Sequence, residues 1–137
     1  MAGFIQSIIK NPTRSLRLVN KDGATAIVKN ELLAYNGGLA VSATAATTKK
    51  EVIGVANQDI AAGDALTQVL VIETFDNDVF LVDSTNNSNA AHNGQLMVLT
   101  DSTHVNNTGT TDAGGIVEQV DVYGAAADKK ILVKFVK

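Results

Sequence analysis

The feature that most constrains the fold is a series of short aliphatic runs separated by turn-forming residues. Four apolar runs of three or four residues are rich in Val, Ile and Leu: 69–72, 79–82, 96–99 and 131–133. Each is too short for a buried helix, and the β-branched residues favour strands covered on both faces. Turn signals rich in Gly, Asn and Asp recur about every 10 to 15 residues, which leaves no room for long helices. The pattern predicts an all-β chain, folded as a compact barrel or sandwich.

Two further segments alternate between apolar and polar residues with a period of two, which is typical of strands with one solvated face. In the first segment, Leu16 and Leu18 are predicted to point inward. In the second, Val120 and Val122 are predicted to point inward, with Gln119 on the solvated face.

Local turn chemistry predicts three further features. Asp22-Gly23 stands between the apolar segments 16–19 and 24–28, and because Gly supplies the positive φ of a tight turn, we expect a β-hairpin there. Single helical turns are expected at 31–35 and 59–62. The polar, low-complexity segments 84–89 and 103–112 are expected to be surface loops.

The first 13 residues are predicted to form an N-terminal arm, separate from one β domain that spans residues 14–137. Pro12 disfavours helix at the residue before it, and this separates the apolar start of the chain from the first hairpin. The arm carries four apolar residues at spacings of one, three and four: Phe4, Ile5, Ile8 and Ile9. They either pack on their own domain or bind a neighbouring chain as an added strand or short helix. In the second alternative they are the candidate partner-binding residues.

Composition narrows the classes of function. Hydrophobic residues make up 45% of the 137 residues and charged residues 18%, and Cys is absent. A folded domain without disulfides or a thiolate metal site is therefore expected. The net charge of −3, with Lys and Arg spread along the chain, disfavours nucleic acid as a partner. No segment reaches the roughly 18 consecutive apolar residues of a membrane span, so no membrane partner is expected.

Candidate catalytic and metal-binding residues are few. His92 and His104 are the only histidines, and both lie in polar segments rich in Asn and Gly, without a Gly-x-Ser-x-Gly motif. Ordinary loop histidines fit this setting better than catalytic ones. Asp76 and Asp78 are a candidate surface Ca²⁺ site, but the Gly and Glu of an EF-hand loop do not follow them. A charged turn between two strands is the preferred interpretation.

Paired carboxylates for glycoside hydrolysis would require two strands to bring acidic residues together. The candidates are Glu73, Asp83, Glu118 and Asp121. Few aromatic residues are available to hold a sugar beside them. We therefore expect no catalytic residue, no metal and no cofactor.

A family resemblance enters at residues 52–67. This segment reads VIGVANQDIAAGDALT, and its Ile60-x-x-Gly63-x-x-Leu66 pattern resembles the strand, tight Gly turn and following strand of β-clip-like domains. Together with the Asn- and Thr-rich segment 106–112 and the closing segment 129–135, the order of elements over residues 14–137 resembles the small head-decoration proteins of tailed bacteriophages.

The resemblance implies a compact β-barrel or β-clip-like domain with short helical turns and no catalytic residues. It also implies binding to the outside of the expanded capsid, with the major capsid protein as partner and a homotrimer as the oligomer. Such a protein is made in the cytoplasm of the bacterial host and ends on the capsid exterior of the virion. A mildly acidic surface with polar loops suits a protein that stays soluble until its lattice site appears.

Capsid decoration is therefore the first functional hypothesis. The second is a virion-associated module that binds a carbohydrate or receptor through the loops at 84–94 and 103–113, although Tyr35 and Tyr123 are the only tyrosines available to it. An enzyme is the third, because its acid and base groups would have to come from Asp, Glu and the two histidines alone.

Overall fold

The chain is mainly β, as the aliphatic runs predict. A computed structural model describes residues 3–8, 16–23, 25–74, 78–108 and 114–136. In these ranges the strands are β1 (Ile5–Ile8), β2 (Leu16–Asn20), β3 (Leu32–Asn36), β4 (Leu39–Ser42), β5 (Val52–Ala56), β6 (Gln68–Glu73), β7 (Val79–Ser84), β8 (Leu96–Asp101), β9 (His104–Asn106), β10 (Val117–Val122) and β11 (Lys130–Phe135). Short 3₁₀ turns lie at Lys49–Glu51, Ala90–His92 and Ala126–Asp128.

The first sheet closes into a five-strand barrel. Its order is β1-β7-β11-β10-β8-β9, and the parallel pairing of β9 with β7 completes the ring β7-β11-β10-β8-β9. Strand β1 pairs antiparallel with Val79–Leu81 of β7, whereas β9 pairs with the end of the same strand, at Asp83 and Ser84. Closure leaves the ring without an open edge, which suits a small β fold.

The second sheet has the order β2-β6-β5-β3-β4, with all neighbouring strands antiparallel. An isolated parallel bridge between Lys21 and Ala40 joins the end of β2 to β4. Beyond that bridge, β2 has one strand partner within the described ranges, which is β6.

The two sheets share one hydrophobic core. Barrel residues such as Phe80, Met97 and Ile131 belong to the same buried cluster as Leu32 and Val55 of the second sheet. A second cluster covers the other face of the second sheet, where Val69 and Val71 of β6 pack with Ile27 and Ile60 from the connecting segments. The middle of the second sheet, around β5 and β6, is therefore covered on both sides, and this explains why β6 reads as a continuous aliphatic run.

The hairpin predicted at Asp22-Gly23 is wrong, although a turn does form there. The Thr25 amide donates to the Asp22 carbonyl at 3.2 Å. Strand β2, however, pairs with β6 in a register that places Val19 opposite Val69. After the turn the chain leaves β2, because Ile27 bridges Ile60 and both side chains are buried against the second sheet.

The helical turns predicted at 31–35 and 59–62 are also wrong. Residues 32–36 form β3, since Leu32 and Leu33 are buried on opposite faces of the second sheet, in different clusters. Residue 60 lies in the isolated bridge with Ile27. The polar segment 103–112 contains a barrel strand, β9, whose central Val105 is fully buried.

Both predictions of strand faces are wrong, except at the end of β10, where Val122 is half-buried. Leu16 and Leu18 are 47% and 59% exposed. Val19, which points to the opposite face of β2, is buried. In β10, Gln119 is fully buried and Val120 is 39% exposed. A bulge between Gln119 and Asp121 sets Val120 outside the regular pairing, so the alternation shifts at this point.

Candidate interaction surface

The arm packs on its own domain in the part that the structure describes. Phe4 is 1% exposed, its ring lies 5.3 Å from that of Phe135, and its amide donates to the Asn30 carbonyl at 2.7 Å. Phe4 is therefore a core residue and not a partner-binding one. The backbone of Ile5 and Ile8 belongs to β1, so the boundary drawn at residue 14 does not separate a free arm. Ile9 lies outside the described residues.

His104 lies at the start of β9, beside Asp101 and Thr103. Its Nδ1 is 3.0 Å from Asp101 Oδ1 and 2.9 Å from Thr103 Oγ1. In a catalytic triad the nucleophile and the carboxylate contact opposite ring nitrogens, so that the histidine can pass a proton between them. Here both contact the same nitrogen, and Thr103 Oγ1 also donates to Asp101 at 3.0 Å. The arrangement is a turn network and does not activate the threonine.

The same network sets the charge of Asp101. Burial raises the pKa of its carboxyl group, but the hydrogen bonds from the Thr103 amide, His104 and the Thr103 hydroxyl together outweigh that effect, and the pKa is lowered. Asp101 therefore stays ionised and holds the tight turn between β8 and β9.

His92 lies in the 3₁₀ turn Ala90–His92, which packs beside β10. Gln119 of β10 joins this turn to the barrel, because its Nε2 donates to the Asn89 carbonyl at 2.9 Å and to Asn93 Oδ1 at 2.8 Å. Gln119 Oε1 and His92 Nδ1 are buried and accept or donate no hydrogen bond within the described residues. The predicted position of Gln119 on the solvated face is wrong. The one sequence signal for burial is that Gln119 lies two residues from Val117, so both side chains point to the same face of the strand.

The loop at 84–89 is held by a buried asparagine that sequence reasoning missed. Asn107 is 2% exposed, and its Oδ1 accepts from the Asn86 amide at 2.8 Å. Its Nδ2 donates to the carbonyls of Asn86 and Asn87 at 3.0 and 3.1 Å. The side chain acts as a short strand partner for the loop, which is therefore fixed. The rest of the second predicted loop, 109–113, lies outside the described residues.

Each of the four candidate carboxylates contacts a basic or an amide side chain. Asp83 pairs with Lys130 and Glu118 with Lys134, in both cases directly across neighbouring barrel strands. The others are Glu73, whose Oε1 is 3.6 Å from Arg17 Nε, and Asp121, which accepts from Asn93 Nδ2 at 3.4 Å. These are cross-strand and turn contacts that stabilise the sheets.

The candidate Ca²⁺ site is described only in part. Asp78 is 1% exposed, and Asp76 lies outside the described residues. Across the ranges that the structure covers, no three His, Asp or Glu residues come close enough together to hold a metal ion. In the same ranges no helix is long and apolar enough to cross a membrane.

An exposed apolar strip lies along β2. Leu16 and Leu18 lie opposite Ile72 and Leu70 of β6, so all four side chains share one face of the second sheet. Ile72 is 7% exposed and Leu70 is half-buried, so the strip continues from the buried interior out to the two exposed leucines. We call Leu16, Leu18 and Leu70 the β2 strip.

A groove lies at the β3–β4 hairpin. It has a volume of about 190 Å³ and is lined by Tyr35 and Asn36 of β3, Val41 of β4, and Thr44, Thr47 and Glu51 of the following segment. We call it the Tyr35 groove. The other tyrosine, Tyr123, is 51% exposed and does not line the groove.

No protein-family model matches the chain, and a search of curated proteins finds no match. The assignment of function therefore depends on the surface features described above.

Proposed function

We propose that this chain is a capsid decoration protein, which binds the outside of an expanded phage head and clamps neighbouring subunits of the major capsid protein. The observation that carries the proposal is the β2 strip, an apolar strip on an edge strand of a small β fold. The family resemblance of residues 14–137 indicates which partner the strip meets.

The strip is where an apolar partner gains most. Fully burying a leucine side chain is worth about 1.5–3 kcal/mol. Leu16 and Leu18 are 47% and 59% exposed, so covering both would contribute about 2 kcal/mol, or roughly 30-fold in Kd. Many symmetry-related copies on a lattice multiply such a modest gain through multivalency.

The edge of β2 adds a polar component. Over Leu16–Asn20 the strand pairs on one side with β6, and a partner strand on the other side would take up backbone hydrogen bonds along the part of β2 that precedes the bridge from Lys21 to Ala40 of β4. Soluble proteins protect such edges with charge, and Arg17 is the charged residue of β2. Its pairing with Glu73 of β6 keeps the guanidinium on its own sheet.

The segment that resembles β-clip-like domains has the expected order of a strand, a tight Gly turn and a following strand, which supports the proposal. Strand β5 leads to a turn at Gly63, where φ is +78°, and then to β6. Gly has no Cβ and adopts this left-handed conformation readily. Ile60 of the same segment is buried, whereas Leu66 is 47% exposed.

Co-sedimentation with expanded, empty phage heads tests the proposal. Wild-type chain is expected to sediment with the heads at a fixed stoichiometry, and the double variant Leu16→Thr, Leu18→Thr to bind about 30-fold more weakly, because threonine keeps strand propensity but removes the apolar surface. Leu66→Thr is the matched control, since Leu66 has the same exposure as Leu16 and lies outside the β2 strip.

Three results would count against the proposal. Absence of binding to any head lattice would remove the decoration role itself. Equal weakening by the Leu66→Thr control would remove the β2 strip as the contact. A monomer that stays monomeric at high concentration, measured by light scattering, would remove the trimer from the proposal but leave the lattice contact standing.

A further inference from the structure

The chain contains two Asn-Gly dipeptides, Asn36-Gly37 and Asn93-Gly94. In such a dipeptide the backbone nitrogen of the glycine can attack the side-chain carbonyl carbon of the asparagine, because glycine has no Cβ to obstruct the approach and adopts unusual backbone angles readily. The reaction converts asparagine to aspartate or isoaspartate without an enzyme. Its rate in a folded protein depends on whether the two reacting groups are free to meet, and the structure places the two dipeptides in different settings.

Asn36-Gly37 lies at the exposed tip of the β3–β4 hairpin. Asn36 ends β3 and pairs with Leu39, so Gly37 and Gly38 form a two-residue turn, with φ of +60° and +83°. Asn36 and Gly37 are exposed, and within the described residues neither the Asn36 side chain nor the Gly37 amide makes a hydrogen bond. A Cβ at Gly37 would meet no atom within 4 Å. The last pair of the hairpin therefore has to open, and no other contact, before the nitrogen reaches the side chain.

Asn93-Gly94 is held by three hydrogen bonds at the groups that would react. The Gly94 amide donates to the Gln119 carbonyl at 2.8 Å. Asn93 Oδ1 accepts from Nε2 of the fully buried Gln119 at 2.8 Å, and Asn93 Nδ2 donates to Asp121 Oδ1 at 3.4 Å. Each bond that has to break lowers the population of the reactive geometry by about 2- to 10-fold. The nucleophile and the side chain of this dipeptide are therefore kept apart by β10.

We propose that Asn36 is a site of spontaneous deamidation in the folded protein, whereas Asn93 is protected by its contacts with β10. The Gly37 nitrogen forms a bond to Asn36 Cγ, the bond from Cγ to Nδ2 breaks, and the proton of the Gly37 amide passes through solvent to the leaving group, which departs as ammonia. Water then opens the resulting succinimide ring. Cleavage of the bond from nitrogen to Cγ gives aspartate, and cleavage of the bond from nitrogen to the main-chain carbonyl carbon gives isoaspartate.

Both products change the tip of the hairpin. Either one adds a single negative charge, so the formal net charge of the chain goes from −3 to −4. Asn36 and Glu51 both line the Tyr35 groove, so the new carboxylate joins an existing one there. Isoaspartate also inserts a methylene group into the backbone at the residue opposite Leu39. A two-residue turn fixes the register of its strands, so the isoaspartate form is expected to lose the pairing at this tip.

The test is incubation of the folded, full chain at mildly alkaline pH, followed by digestion after glutamate and mass spectrometry. The four glutamates are at positions 31, 51, 73 and 118, so digestion places the two dipeptides in separate segments, 32–51 and 74–118. Asn36 is the only asparagine of segment 32–51, so a gain of mass there reports Asn36 alone. Fragmentation of segment 74–118 reports Asn93.

Asn36 is expected to convert at least about 10-fold faster than Asn93 in the folded chain. In urea at a concentration that unfolds the chain, the two rates are expected to agree within about 3-fold, because both dipeptides then have only their sequence neighbours. Unfolding therefore serves as the internal control for the effect of the fold.

Asn36→Gln and Asn93→Gln are a matched pair of variants, because glutamine keeps the amide but would have to form a larger ring, which closes more slowly. Wild type and Asn93→Gln are expected to accumulate an acidic form at the same rate in isoelectric focusing, whereas Asn36→Gln is not. Gln119→Ala is expected to speed the conversion of Asn93 about 3-fold or more. If Gln119→Ala fails to fold, the ratio of the two rates in wild type still decides the matter.

The proposal is overturned if segment 32–51 stays unmodified in the folded chain, or if Asn93 converts as fast as Asn36. Equal accumulation of the acidic form in wild type and Asn36→Gln would also overturn it. None of these outcomes bears on co-sedimentation with phage heads, so failure here leaves capsid decoration standing.

Discussion

Replacing Phe4 with Ala tests whether the start of the chain is part of the core. Phe4 is 1% exposed, and its ring lies 5.3 Å from that of Phe135. Phe135 in turn packs edge-on against Phe80. Removal of a buried phenylalanine side chain usually costs about 3–5 kcal/mol, and the loss of an aromatic pair accounts for about 1 kcal/mol of it.

This energy converts into a large change of melting temperature. With roughly 2.1 cal/mol/K of unfolding entropy per residue, a chain of 137 residues has about 290 cal/mol/K in total, so each kcal/mol lowers Tm by about 3.5 °C. Phe4→Ala is therefore expected to lower Tm by roughly 10–17 °C. Thermal unfolding of the isolated chain, followed by calorimetry at neutral pH, measures the change directly.

The control is Tyr123→Ala, because Tyr123, at 51% exposed, is the most exposed aromatic residue in the part of the chain that the structure describes. Its change in Tm is expected to stay within about 3 °C. If Phe4→Ala also shifted Tm by less than about 3 °C, Phe4 would contribute no packing energy. The arm would then regain its alternative role as a partner-binding segment.

The other predictions concern single sites. Glu31→Ala should destabilise the chain by about 3 kcal/mol in urea unfolding, because the Val28 amide and the hydroxyls of Ser42 and Ser102 lose a buried acceptor. An effect below about 1 kcal/mol would contradict this. Gly54→Ala should lower the free energy of unfolding by about 1–3 kcal/mol in the same assay, since a Cβ there would overlap the Ile72 carbonyl oxygen and lie 2.7 Å from Val71 Cγ1. Unchanged stability would show that β5 and β6 move apart without cost to make room for the methyl group. Asp101→Asn should lower the free energy of unfolding at neutral pH, because the lowered pKa of Asp101 in the fold stabilises the native state only while the carboxyl group is ionised. The difference in free energy between wild type and variant should shrink as pH falls below the ordinary Asp pKa of 3.8. A difference that does not depend on pH would refute the role of the ionised carboxylate.

The strands were predictable where the signal is local. The runs at 69–72, 79–82, 96–99 and 131–133 all lie within strands of the structure. A short run of β-branched residues encodes its own extended backbone. The predicted burial on both faces is only partly right, because side chains in β8 and β11 alternate between buried and half-buried.

Pairing and orientation were not predictable, because they depend on contacts far apart in the sequence. Nothing near β2 shows that its partner is β6, about 50 residues later in the chain. The alternation of β2 fits either face inward equally well, and Val19 decides it only through packing against Val69 and Val71. In β10 the bulge at Val120 reverses the alternation midway, and no residue type marks it in advance.

The candidate interaction surfaces were hidden for the same reason. Leu16 and Leu18 are ordinary core residues in the sequence, and they become a surface only because β2 lies at an edge. Tyr35 was named as one of two tyrosines, but the groove beside it depends on the β3–β4 hairpin and on the segment that ends at Glu51.

Glu31 shows how the two sheets are fixed relative to one another. Its carboxylate is 4% exposed, and it accepts from the Val28 amide at 3.1 Å, from Ser42 Oγ at 2.9 Å and from Ser102 Oγ at 2.8 Å. Ser42 ends β4 of the second sheet, whereas Ser102 lies in the turn between barrel strands β8 and β9.

The aliphatic contacts between the barrel and the second sheet are non-directional and tolerate small displacements. A buried carboxylate with three donors tolerates none, since each lost donor leaves an unpaired polar group in the core. The Leu32 amide, next in the chain, donates to the Ser102 carbonyl at 2.8 Å and fixes the same contact through the backbone. We infer that the aliphatic clusters supply most of the stability, whereas Glu31 sets the position of β3 against the barrel and thereby the position of the Tyr35 groove at the far end of that strand.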